Sequence, residues 1–275
     1  CLWMLRPWIY ADELIDRFSR FSNVENLKAR LKEIYPNIAA LEGIASERGI
    51  PIREPFQGSV IGLFTVLAPS RSRYLDLVVD SEKTPESVAA IEETAAASFT
   101  EGVLSVLQRA AAFIRAAWGE EVFSSAETSA ENEMSVIQYA YLNEKRILLT
   151  ADAGRQALAE AADYAPRVGL ALPGIDHFQV PHHGSRRNVS TELLDRWLGE
   201  RLPQMPTEDE RKFTALISSA RADTHHPRKS VVRACIHRGA SVVATEGGSV
   251  RTQTNAPNRG WTSVTPLPYP EEQAE

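Results

Sequence analysis

Residues 134–154 read MSVIQYAYLNEKRILLTADAG, and the order of residue types along this stretch decides the fold. Met134 to Leu142 is rich in β-branched and aromatic residues and is predicted to be a strand. Asn143-Glu144-Lys145 has the character of a tight turn, and Arg146 to Leu149 is predicted to be the returning strand. The apolar run then stops at Thr150, and Asp152 stands between Ala151 and Ala153 just before Gly154. Helical periodicity resumes from Arg155 to Tyr164.

The same rhythm continues downstream. Phe178-Gln179-Val180 is predicted as a short strand ending at Pro181, and Ser190 to Leu198 as a helix with Ser190 as its cap. Ala215 to Ile217 reads as a strand, Arg228 to Arg238 as a helix and Ser241 to Ala244 as a strand, with Val250 to Thr252 closing a hairpin across Gly247-Gly248. Alternating strands and helices with short connections argue for a layered α/β architecture.

Upstream the signal is mainly helical. Leu2 to Leu5 reads as a buried strand. Residues 9–48 follow as amphipathic helices, Asn23 placed to cap the second and Gly49 to stop the third. Val60 to Leu67 is predicted as one strand ended by Ala68-Pro69. Ser81 to Trp118, rich in Ala and Glu, is predicted as a helical insert of two helices, and Glu127 to Glu133 as a loop. Residues 1–254 are read as one domain. The tail at 255–275 is proline-rich and predicted to wrap the surface.

The 275 residues are 43% apolar and 24% charged, a globular balance that excludes disorder, collagen and coiled coil as the main state. No apolar run is long enough to span a bilayer, and the opening residues lack the basic-then-apolar pattern of a secretory signal. The two cysteines, Cys1 and Cys235, exclude a disulfide framework and a cysteine-based zinc site, so a reducing, cytoplasmic setting is expected. A net charge of −6 argues against global attraction to nucleic acid but allows a local basic patch.

The chemistry-bearing residues gather late in the chain. All six histidines lie between positions 177 and 237, four of them in the doublets His182-His183 and His225-His226. Each doublet follows a predicted strand, where imidazoles are held well for zinc, manganese or iron. Adjacent loop histidines can equally be ordinary polar residues. Asp152 at a third strand end can be a metal-bridging carboxylate or the N-cap of the following helix. Arg186 and Arg187 beside the first doublet suit an anionic substrate, and equally a solvated surface. His177 and His237 read as structural, and the scattered tryptophans read as core.

These strand ends together resemble the metallo-β-lactamase-fold hydrolases, in particular the branch that includes the hydrolase domain of the competence protein ComEC. The matching stretches are Arg146–Gly154 (RILLTADAG), Val180–Ser185 (VPHHGS) and Ile217–Pro227 (ISSARADTHHP). Arg238–Gly248 adds to them, with weaker similarity at Ile50-Pro51-Ile52, Gly58 and Val66–Pro69. The resemblance covers most of residues 50–252.

It implies an αββα sandwich, two sheets face to face with helices outside, whose N-terminal portion is incomplete here. It implies one or two divalent cations, zinc or manganese, with Asp152 bridging, His183 and His226 as ligands, and His182 and His225 in the second shell or facing substrate. The implied reaction is hydrolysis of a phosphodiester or other anionic small-molecule or nucleic-acid substrate by a metal-bound hydroxide, with Asp152, His182 and His183 catalytic and Arg186, Arg187 and His225 binding substrate. Two departures stand out. Ala151 occupies a position where the family has glycine, and the family's leading His-x-His-x-Asp-His motif has no counterpart in this chain. That motif is expected either before Cys1 or to have been lost. In the first case the chain alone is expected to bind metal poorly, and in the second it is a catalytically inactive scaffold or interaction domain.

Overall fold

The computed structural model describes residues 1–81, 83, 117–223 and 225–273. The helical insert anticipated at 81–118 falls almost wholly outside the described residues. Nine strands are numbered β1 to β9 and eight helices α1 to α8 among those described.

The N-terminal part is helical. β1 (Leu2–Trp3) is followed by α1 (Ala11–Leu14), α2 (Val24–Ile34) and α3 (Pro36–Glu47), and β2 (Ile52–Arg53) pairs parallel to β1. The Asn23 side chain caps α2 by accepting from the amides of Glu25 and Asn26. Pro36 opens α3 at its first turn, where a missing N–H costs nothing. With α4 (Arg71–Asp80), these helices bury Trp8, Leu14, Phe18, Leu27, Leu31, Tyr74 and Val78 in one core.

The remaining strands form one seven-stranded sheet in sequence order: β3 (Val60–Ile61), β4 (Phe64–Ala68), β5 (Ile137–Leu142), β6 (Lys145–Leu149), β7 (His177–Gln179), β8 (Phe213–Ile217) and β9 (Ala240–Ala244). β3 to β6 run antiparallel to their neighbours, and β6 to β9 run parallel. β5 and β6 are joined by the two-residue loop Asn143-Glu144, with φ of 48° and 62°, the signature of the hairpin turn whose twist matches its strands. Parallel strands need crossovers, supplied by α6 (Arg155–Tyr164), α7 (Thr191–Leu198) and α8 (Lys229–His237).

These helices cover one face of the sheet. Leu148, Phe178, Ala215, Ile217 and Val242 point towards Ala157, Leu158, Trp197, Val231 and Val232 in a second core. On the opposite face Ile147, Leu149 and Leu216 are half-buried. The described residues thus supply one extended sheet and a short parallel pair, where the resemblance implied two full sheets. Among them no helix is long and apolar enough to cross a membrane.

Several expectations need correction. Val60 to Leu67 is a hairpin, because the chain turns back at Gly62 with φ of 63°. The strand at the start spans only Leu2–Trp3, and α4 has no counterpart in the sequence reading. The expected loop at 127–133 holds α5 (Ala130–Glu133), capped by Ser129. Val250 to Thr252 is not a strand. Instead Leu267 of the tail donates its backbone N–H to Val242 in β9, and Leu267 and Tyr269 pack on the sheet core.

Candidate metal and substrate site

Parallel strands deliver their carboxyl ends to one edge, and the loops leaving β6, β7 and β8 meet there. Backbone hydrogen bonds lace these loops together. The His182 amide donates to the Ala151 carbonyl (3.0 Å) and the Arg228 amide to the Gly184 carbonyl (3.1 Å). Thr150 adds its hydroxyl to the Gln179 carbonyl (2.7 Å), and Gln179 Oε1 accepts from the Thr150 amide.

Two glycines make this approach possible. A Cβ on Gly184 would lie 2.9 Å from Cβ of Pro227, and its φ is +84°. One on Gly154 would lie 1.9 Å from Oε1 of Glu133. The turns are also strained. Ala151, His182 and His183 have φ of 48°, 45° and 56°, so the first loop and the first histidine doublet occupy left-handed backbone. Such conformations cost of order 1–3 kcal/mol per residue and gather where a site over-determines them.

Of the residues singled out by sequence, four come together. Asp152 Oδ1 lies 4.0 Å from His183 Nε2. The rings of His182 and His183 are 5.8 Å apart, those of His182 and His226 stack at 6.1 Å, and those of His183 and His226 are 6.3 Å apart. The side chains of Asp152 and His183 are 50% and 46% exposed, so the cluster is open to a ligand. His225 and Arg187 are exposed and Arg186 is half-buried. Among the described residues, no group of three or more His, Cys, Asp and Glu side chains is arranged to hold a metal ion.

The ring nitrogens are nevertheless directed. His183 Nδ1 donates to the Ser218 carbonyl, and His226 Nδ1 donates to Oδ2 of Asp223 at 2.9 Å. Both contacts leave Nε2 with its lone pair, the arrangement by which second-shell oxygens orient metal-binding histidines. Asp223 also accepts from the amides of His225 and His226, and the former bond is the largest cause of its lowered carboxyl pKa. His182 differs, because its Nδ1 receives the Asn132 amide at 3.0 Å. Burial pushes the His182 pKa below its ordinary value. Asp152 opposes that push, while His183, His226 and Arg187 add to it.

Asp152 is not the cap of α6. The N-cap is Gly154, and the helix amides of Gln156 and Ala157 are met by the Glu133 carboxylate at 3.2 and 2.6 Å. Asn188, fully buried, donates to the carbonyls of Asp152 and Ala153 and holds the turn from below. Sequence reasoning missed Asn132, Glu133, Asn188, Ser218 and Asp223. The one cue was the run Glu131-Asn132-Glu133 immediately before a strand, where polar side chains face the edge of a sheet.

His237 is buried in an ion network with Glu121 (3.1 Å) and Tyr269 (3.1 Å), and His177 sits half-buried at the opposite edge of the sheet. Trp8 and Trp197 are core, whereas Trp261 is 40% exposed. No family model, curated protein or solved structure matches this chain.

Proposed function

We propose that this chain carries part of a divalent-cation-dependent hydrolase of the metallo-β-lactamase fold, similar to the ComEC branch, acting on a phosphodiester or another anionic ester. The observation that carries this reading is the pairing of ring nitrogens with oxygen acceptors. His183 and His226 each have Nδ1 bound to an oxygen and Nε2 free, beside the Asp152 carboxylate, at the carboxyl edge of parallel strands. The chemistry of this donor set fits zinc or manganese. The half-buried apolar face carrying Ile147, Leu149 and Leu216 suits the second sheet of an αββα sandwich.

In this reading Asp152, His183 and His226 hold the cation, one ion or two. When bound, it would act as a Lewis acid and lower the pKa of water at the site. Arg186 and Arg187 bind the anionic oxygens of the substrate, as guanidinium matches phosphate. His182 and His225 face the substrate. Free thiols at Cys1 and Cys235 support a reducing, cytoplasmic setting.

A second reading, a catalytically inactive scaffold with the same fold, is favoured by one observation: no three donors close around a point among the described residues. Zinc and manganese analysis of the protein, with a screen of activated phosphodiesters, separates the two. The hydrolase reading expects weak cation binding by this chain that Asp152→Asn abolishes. Cation content unchanged by that substitution would overturn it.

A further inference from the structure

Three imidazoles meet at this edge, and their partners are not alike. Ser218 offers a carbonyl to His183, and Asp223 offers a carboxylate to His226. Neither acceptor has a proton to give, so each fixes the proton on Nδ1. Asn132 instead presents its amide nitrogen to Nδ1 of His182 at 3.0 Å. An amide NH₂ only donates, so Nδ1 of His182 must be the unprotonated nitrogen, and the proton of the neutral ring sits on Nε2. The same NH₂ also donates to Thr128 Oγ1 at 2.6 Å, which ties Asn132 to the neighbouring loop. Thr128 in turn receives the Asn188 side chain (3.5 Å), which also binds the Asp152 turn.

We propose that Asn132 is a positioning residue that divides the three histidines into two kinds. His183 and His226 present lone pairs at Nε2 and suit a cation, whereas His182 presents an N–H donor and suits an anionic oxygen of the substrate. The functional half of this inference rests on the hydrolase reading, while the tautomer assignment stands without it. Opposite tautomers allow one cluster to receive both partners. A third lone pair would repel the substrate's anionic oxygen, and an N–H cannot ligate a cation.

The test is nitrogen NMR of the imidazole rings in the full chain at neutral pH without added metal, using long-range proton–nitrogen correlations. His182 is assigned from its loss in His182→Gln. The expected result is His182 protonated at Nε2, with His183 and His226 protonated at Nδ1. In Asn132→Asp the carboxylate can only accept, so the His182 pattern is expected to invert while the other two rings keep theirs. Asn132→Ala is expected to give a mixed pattern at His182. A wild-type His182 protonated at Nδ1, or one whose pattern ignores the Asn132→Asp exchange, would overturn the proposal. The wild-type spectrum decides the matter even if a variant fails to fold. Absence of any cation binding, however weak, would refute the hydrolase reading and leave these spectra unchanged.

Discussion

Asp152 and Glu133 divide two tasks that a single acidic residue at a strand end could have performed. Glu133 meets the free amides at the start of α6 and pairs with Arg73 at 2.9 Å, while Asp152 remains half-exposed beside His183. Asp152→Asn is therefore expected to leave the melting temperature nearly unchanged while removing cation binding. Glu133→Ala is expected to cost roughly 2–4 kcal/mol, because it orphans helix amides and leaves the partly buried Arg73 guanidinium only Glu160, 3.7 Å away. Urea melts of the two variants check this, and the opposite ranking would return the cap to Asp152. Ala151 carries a left-handed φ of 48° that glycine adopts freely. Ala151→Gly is expected to stabilise by about 1 kcal/mol, read from the same melts. Gly184→Ala is expected to destabilise and to disturb the histidine loops, since its Cβ would meet Pro227.

At the scale of elements, legibility followed the range of the forces involved. The β5–β6 hairpin, the crossover helices and the cap of α2 are written in neighbouring residues, and each is present. Asn23→Ala is expected to cost about 1 kcal/mol of stability by releasing two amides of α2, measurable by denaturant unfolding. The β3–β4 turn was hidden inside an apolar run, with Gly62 as its only punctuation. In α4 the apolar residues crowd together at 74, 75 and 77–79, which blurs helical periodicity. The histidine doublets and Asp152 could be found because their residue types are unusual at strand ends. Asp223 could not, and Asn132 was marked only by the polar run before β5, because their roles come from contacts set by folding. Asn132 meets His182 from 50 residues away, and Asp223 matters only once His226 turns towards it.

Across the whole molecule, a buried ion network ties the C-terminal tail to the sheet core. Glu121 receives Arg238 at 2.6 Å and Thr191 at 2.8 Å, and Arg238 also binds Asp195 at 2.6 Å. His237 joins Glu121 to Tyr269, whose ring lies under Arg233. Burial alone would raise the Glu121 pKa. The hydrogen bonds from His237 and Arg238 and the charge of Arg238 outweigh it and hold the group at about 2, below its ordinary 4.5. A depressed carboxyl contributes stability above its unfolded pKa and loses it as pH falls through the folded value. That contribution is about 3 kcal/mol, and it is expected to disappear between pH 4.5 and about 2. Glu121→Gln is expected to flatten the acid limb of the stability profile and to lower stability at pH 7, as unfolding across that range would reveal.

In the proposed hydrolase, Asp152, His183 and His226 form one cation-binding edge on this fold. Manganese titration followed by NMR tests it most directly, because a paramagnetic ion broadens the signals nearest to it even when binding is weak. Small additions of manganese are expected to broaden Asp152, His183 and His226 ahead of His177 and His237, and Asp152→Asn to abolish the effect. Broadening centred elsewhere, or unchanged in Asp152→Asn, would contradict it.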